Sequence, residues 1–267
     1  MAQQADWVAA GNRALDHGLL EEAAADFDEA LRVGIRSGLP AADLLDLRIT
    51  LATAYMEARR YREAEGMLDE AQKAGGPVSG VRCAELLNAW SALHLRLGQL
   101  STAEGELQEA QRLVIDLPHS GDLVPAILNN LAAIEMRTGQ YGRALGHEQE
   151  SLRLFREILG PDHPTLIRAW ASLASAQYLA DRSSEARVSL DQAISLAEKA
   201  YGPAHPLVAD LLESEAVVLD NLKQKKSARE ARDRARQIRG GRSDADDPLA
   251  WSIREMAPAG NVSVRSK

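Results

Sequence analysis

One cysteine, Cys83, stands in a chain of 267 residues. A single thiol excludes a disulfide framework and any zinc site built from several cysteines, and it fits a reducing compartment. Aromatics are also scarce, at 4%, while alanine is abundant. Small side chains in place of rings suit closely packed helices better than a sheet core. No apolar run approaches the roughly 18 residues a membrane helix needs. The opening Met1 to Trp7 has no basic region followed by an apolar one, so no signal peptide is expected. Together these absences lead to the expectation of a soluble cytoplasmic protein. The net charge of −8 argues against general nucleic-acid affinity. Also missing are a Gly-x-x-x-x-Gly-Lys phosphate loop, His-Glu-x-x-His and Gly-x-Ser-x-Gly. The six histidines are scattered, with no second metal ligand at helical spacing from His163 or His205. No catalytic site, metal or cofactor is therefore expected, and the chain is read as a non-enzyme.

What the chain does have is a period. Gly160-Pro161-Asp162-His163-Pro164 recurs as Gly202-Pro203-Ala204-His205-Pro206, 42 residues later. A fixed period means a repeat array. Small residues recur in triplets spaced twelve and then seven apart: Gly11, Ala23, Ala30; Ala52, Ala64, Ala71; Ser91, Ala103, Ala110; Ala132, Ala144, Ser151; Ala174, Ala186, Ala193; Ala216, Ala228, Ala235. The first members step by 41, 39, 41, 42 and 42 residues. The physical reading is a helix–turn–helix unit. The first small residue lies on helix A and the second on helix B, so the two backbones approach closely. The third packs helix B on the following helix A. Leu51, Leu131 and Leu173 flank the first small residue, and Phe27, Leu68, Leu107 and Leu190 fill helix B. Gly18, Gly98 and Gly139 fall seven residues after the first member, where a left-handed cap would end helix A. Pro164 and Pro206 suit a first helical turn. Glu215, Arg232 and Glu148 depart from the apolar pattern, and a polar sixth unit is what an end cap requires.

This pattern resembles the tetratricopeptide repeat over about residues 4 to 240. Trp7 and Trp170 fall at that family's aromatic position. The long period, Leu128 to Ala132 (LNNLA) and the Gly-Pro-x-His-Pro loops are similar to the kinesin-light-chain type of repeat. The resemblance implies an all-α fold, a right-handed α–α superhelical solenoid of six helix-turn-helix repeats. The repeats are expected near 4–40, 41–80, 81–121, 122–163, 164–205 and 206–240. Gly75-Gly76-Pro77 and Leu117-Pro118-His119-Ser120-Gly121 mark breaks between them. Residues 241–267 are expected to form a disordered polar tail, apart from one possible short amphipathic turn from Asp247 to Met256.

The resemblance also implies a concave groove lined by helix A. Its central residues would be Asn88, Arg96, Asn129, Asn130, Met136, Arg137, Arg168, Ser172, Ser175, Tyr178 and Asn221. Asn12, Asp16, Thr53, Glu57, Glu213 and Asp220 would lie towards its ends. Asparagine amides can bond both N–H and C=O of an extended peptide, and arginines offer forked donors to carboxylates. The expected function is a non-catalytic adaptor holding a protein or peptide segment, with acidic side chains, in this groove. Asn130 and Arg168 match two positions of the dicarboxylate clamp of chaperone-binding repeats. Asn88, Ala92 and Ser172 do not match, so chaperone tails are not expected ligands. The alternative is a regulatory or sensor subunit of a larger, bacterial-type effector assembly, using the convex face or the basic last helix (Lys223, Lys225, Lys226, Arg229, Arg232, Arg234, Arg236, Arg239). That helix lacks aromatics for base stacking, so a solvated cap is the simpler reading. Asp246-Asp247-Pro248-Leu249-Ala250-Trp251 resembles the acidic-tryptophan peptides bound by kinesin-light-chain repeats, which would let the tail fill its own groove or a neighbour's. Residues 1–120 carry 19 acids and 11 Lys/Arg, and residues 121–267 carry 20 of each. That asymmetry leaves weak head-to-tail self-association open.

Overall fold

The computed structural model describes residues 2–74, 80–114, 121 and 123–240. Among the described residues there are twelve α-helices and no strands. The chain divides into two compact units, residues 1–120 and 121–267. The expected breaks at 75–77 and 117–120, and the tail with its acidic-tryptophan segment, lie outside the described residues.

The first unit holds three helix pairs: α1 (Ala2–Asp16) on α2 (Leu20–Arg36), α3 (Ala41–Glu57) on α4 (Tyr61–Ala74), and α5 (Val81–Arg96) on α6 (Leu100–Val114). α2 also packs on α3, and α4 on α5. The second unit repeats the plan with α7 (Leu123–Arg137) on α8 (Tyr141–Leu159), α9 (Thr165–Leu179) on α10 (Ser183–Tyr201), and α11 (Pro206–Asn221) on α12 (Lys225–Ile238). Here α8 packs on α9 and α10 on α11. Within each unit the second helix of a pair thus covers its partner and the first helix of the next pair, as a repeat fold requires.

The small-residue triplets are the reason these helices pair. Every alanine and serine of the six sets is at most 1% exposed. At Gly11 a Cβ would stand 2.8 Å from the Phe27 ring, so the backbone of α1 lies directly against that side chain. The flanking Leu51, Leu68, Leu107 and Leu190 are completely buried. Removing such a leucine typically costs about 2–5 kcal/mol. Of the third members, Ser151 uses its hydroxyl within its own pair, donating to the Pro125 carbonyl on α7 at 2.7 Å.

All six A–B turns have one geometry. Gly18, Gly98 and Gly139 have φ of 72, 76 and 78°. Arg59, Asp181 and Lys223 take the same left-handed conformation at the same register, with φ of 57, 59 and 62°. The following residue then sends its N–H back five positions: Leu19 to Ala14, Arg60 to Tyr55, Gln99 to His94, Gln140 to Glu135, Arg182 to Gln177, Gln224 to Leu219. This closes otherwise unpaired carbonyls at the end of helix A. A side chain there is strained by roughly 1–2 kcal/mol, so the turn imposes its shape even where glycine is absent.

In the second unit the two Gly-Pro-x-His-Pro loops work alike. Gly160 and Gly202 end α8 and α10 at φ of 84 and 92°. His163 Nδ1 accepts from Thr165 N at 3.3 Å and His205 Nδ1 from Leu207 N at 3.2 Å. His205 is the N-cap of α11, while His163 stands one residue ahead of Pro164, the N-cap of α9. His205 also stacks on Tyr201, centroids 4.8 Å apart.

Candidate peptide-binding surface

The residues expected to line the groove are held on the A helices. In the first unit, Asn88 and Arg96 lie on α5, both half-buried. Arg96 donates to Glu57 Oε1 at 2.8 Å, joining α5 to α3 across 39 positions. These two residues occupy one register position in successive repeats. Glu57 is 8% exposed, so part of Arg96's charge is matched within the fold. Thr53 spends its hydroxyl on the Ile49 carbonyl.

In the second unit, α7 carries Asn129, Asn130 and Arg137, all half-buried. On α9, Arg168 is exposed and Tyr178 half-buried, and Asn221 is exposed at the end of α11. Asn221 Oδ1 accepts from Ser183 Oγ at 2.9 Å. Three of the expected groove residues are buried. Met136 is 0% exposed and belongs to the core of its unit. Its register is that of Met56 and Leu95, which are also buried, because this position turns towards helix B. Ser172 is 2% and Ser175 5% exposed, and the Ser175 hydroxyl is spent on the Ala171 carbonyl at 3.0 Å.

Asn129 has a partner that periodicity alone does not supply. Its Nδ2 lies 3.1 and 3.0 Å from the two carboxyl oxygens of Glu148 on α8. Burial pushes the Glu148 carboxyl up to about 8, against the opposing pull of the Asn129 hydrogen bond. Glu148 is therefore a neutral acid at pH 7. The signal for it was its departure from the apolar helix B column.

Polar clasps join helix A to helix B twelve residues on in three consecutive pairs. His94 Nδ1 meets Glu106 at 2.8 Å, His147 Nδ1 meets Glu135 at 2.8 Å, and Ser189 Oγ donates to Gln177 Oε1 at 2.7 Å. His94 also stacks on Trp90, with centroids 5.5 Å apart. Burial raises Glu106 above the usual carboxylate range, and His94 opposes that. Arg143 adds a guanidinium to Glu135 at 3.1 Å.

The basic last helix is largely neutralised. Arg232 pairs with Asp220 at 2.5 Å, Arg236 with Asp233 at 2.8 Å, and Arg229 with Asp233 at 3.8 Å. Arg234 pairs with Glu198 on α10, and Lys226 with Glu230 at 3.8 Å. Arg239 pairs with Asp210 on α11 at 2.5 Å, both side chains nearly buried. α12 turns only Ala228, Ala231 and Ala235 fully inward, which suits a capping helix. Among the described residues no cluster of His, Cys, Asp or Glu could hold a metal, and no helix is long and apolar enough to cross a membrane. Cys83 is a half-buried free thiol in the first turn of α5.

Comparison with known proteins agrees with this geometry. Residues 123–199, spanning α7 to α10, match the tetratricopeptide repeat model. Those residues carry tetratricopeptide repeats. No curated protein matches the chain by sequence. BtubC (BKLC) from P. vanneervenii superposes with a TM-score of 0.63 at 19% identity, over 89% of this chain and 91% of that one. A Rap protein complexed with Competence and Sporulation Factor gives 0.64 at 13% identity, over 89% and 75%. Pseudomonas aeruginosa PilF gives 0.53 at 17% identity, over 76% and 79%. At these identities the likeness is one of fold. Tetratricopeptide folds are typically scaffolds for protein–protein interaction, and fold alone leaves the partner open.

Proposed function

We propose that this tetratricopeptide-repeat protein is a non-catalytic scaffold whose helix A surface holds an extended protein segment bearing acidic side chains. The observation that carries the reading is the grouping on α7 and α9 of two asparagines and two arginines: Asn129, Asn130, Arg137 and Arg168. Backbone amides and carbonyls of an extended segment suit the asparagines. Carboxylates suit the guanidinium forks. Tyr178 on α9 and Asn221 at the end of α11 extend the same chemistry along the A helices of this unit. A fold relative crystallised with Competence and Sporulation Factor offers a precedent for a bound factor on this architecture. The paired cations of α12 speak against nucleic acid and against that helix as the main docking face.

The test is a pull-down from source cells with the wild-type protein beside a variant with Asn129, Asn130, Arg137 and Arg168 changed to alanine. Circular dichroism checks that the variant is folded. A partner retained by wild type and lost by the variant is expected. A partner retained by both would place recognition elsewhere and favour a regulatory subunit that docks through α12 or the outer helix faces.

A further inference from the structure

The fourth helix pair carries a carboxyl where its neighbours carry hydrocarbon. Sixteen residues after the first small residue of each triplet stand Phe27, Leu68, Leu107, Glu148, Leu190 and Arg232. Glu148 is 1% exposed, nearly as buried as the leucines at its register. Both of its oxygens lie within hydrogen-bond distance of Asn129 Nδ2.

The charged groups on the elements packed against it do not reach it. Glu135 on α7 is held by His147 and Arg143, and Glu150 on α8 by Arg153. Arg137 is the last residue of α7, and Arg168 on α9 is exposed. Among the described residues, burial and Asn129 alone act on the carboxyl. A carboxylate so placed, without a cation, is strongly disfavoured, and the group keeps its proton at neutrality.

That proton matters because the two forms offer different hydrogen bonds. A neutral carboxyl has one O–H donor and acceptor oxygens, whereas a carboxylate only accepts. A primary amide has a donor end and an acceptor end. Neutral Glu148 can therefore satisfy either end of Asn129, and ionised Glu148 only Nδ2. We propose that Glu148 is a positioning residue of the peptide surface: its proton governs which end of the Asn129 amide turns inward, and hence which end meets the backbone of a bound segment. With Nδ2 inward, Oδ1 is the outward end and accepts a backbone N–H. With the Glu148 O–H donated to Oδ1, Nδ2 turns outward and seeks a backbone carbonyl. Deprotonation removes the second arrangement. The consequence for binding rests on the peptide-scaffold reading above; the arrangement itself does not.

The experiment is an NMR titration of the full chain without ligand, from about pH 6 to about pH 10, the range in which a buried carboxyl of this kind titrates. The Asn129 side-chain amide is assigned by its loss in Asn129→Ala, and the Glu148 carboxyl carbon by its loss in Glu148→Gln. The expected result is that Glu148 titrates far above an ordinary glutamate and that both Asn129 amide protons move with the same midpoint. In Glu148→Gln and Glu148→Leu that inflection should vanish, with circular dichroism showing both folded. An ordinary carboxylate midpoint, or Asn129 resonances that ignore the Glu148 titration, would overturn the proposal. Failure of the pull-down would instead remove the peptide reading and leave the titration untouched, so the two failures are distinguishable.

Discussion

The third and fourth helix pairs are built on one plan and differ most sharply at one buried column. In α5/α6 the column holds Leu107, and in α7/α8 it holds Glu148, both nearly inaccessible. Above each stands an asparagine at the same register, Asn88 and Asn129. The clasps are mirror images, with His94 on helix A meeting Glu106 on helix B in one pair, and Glu135 meeting His147 in the other. The repeat thus fixes where a side chain sits and how deeply it is buried. It leaves open whether that place is filled by hydrocarbon, a neutral acid or a hydrogen-bonded pair. An all-apolar column contributes stability, and a polar one couples the pair to pH and orients a neighbour.

Transplanting the difference should have the largest effect. Leu107→Glu in α6 is expected to lose about 3–5 kcal/mol in chemical denaturation at neutral pH, even with Asn88 in place, because a fully buried leucine is lost and an acid takes its site. The reciprocal Glu148→Leu should be far milder, within about 1–3 kcal/mol of wild type at pH 8, because loss of the Asn129 hydrogen bond offsets the apolar gain. A stable Leu107→Glu variant would show that depth alone does not set the cost.

The pH dependence comes next. The Glu148 pKa is raised on folding from an ordinary 4.5 to about 8. The native state therefore binds a proton that the unfolded chain has already released. Its stabilising contribution is full below the unfolded value and is lost as pH rises through the folded one. Wild-type stability should fall with a slope of up to about 1.4 kcal/mol per pH unit within that window. Glu148→Gln should lack this component while α5/α6 substitutions leave it unchanged, as denaturation midpoints across the window would show.

Smaller effects probe the shared frame. Gly11→Ala should cost about 1–3 kcal/mol, since the new methyl meets the Phe27 ring 2.8 Å away. Lys223→Gly should gain roughly 1 kcal/mol by relieving its left-handed backbone, while Gly139→Ala at the same register should lose a similar amount. Thermal melts of this pair test whether the turn conformation is imposed. The smallest effect belongs to the clasps. His94→Glu with Glu106→His together should be nearly neutral, and either change alone should cost about 1 kcal/mol. A double-mutant cycle measures the difference.

Much of the frame is legible in the order of residues. The twelve-and-seven spacing of small residues names the contacts that let helix backbones approach, and every one of those alanines and serines is buried. Gly18, Gly98 and Gly139 mark the turn openly. The equivalent turns at Arg59, Asp181 and Lys223 carry no glycine and are found only by register, because the backbone hydrogen bonds of the turn outweigh the strain. The candidate surface is less legible. Met136 reads as a groove residue by family position yet lies in the core, because one residue along a helix turns a side chain by a large angle. Ser172 and Ser175 are likewise buried.

The local and periodic information, then, belongs to the sequence by itself: helix pairs, their close-contact residues, the recurring Gly-Pro-x-His-Pro loops, and the polar last helix. These depend on spacing along one chain, and spacing is written in the sequence. The tertiary structure alone decided the partnerships across helices: Asn129 with Glu148, Arg96 with Glu57, His147 with Glu135, Arg239 with Asp210. A polar side chain's role depends on what stands opposite and on how much water is excluded. Periodicity locates the side chain, and only packing sets its dielectric surroundings and its partner.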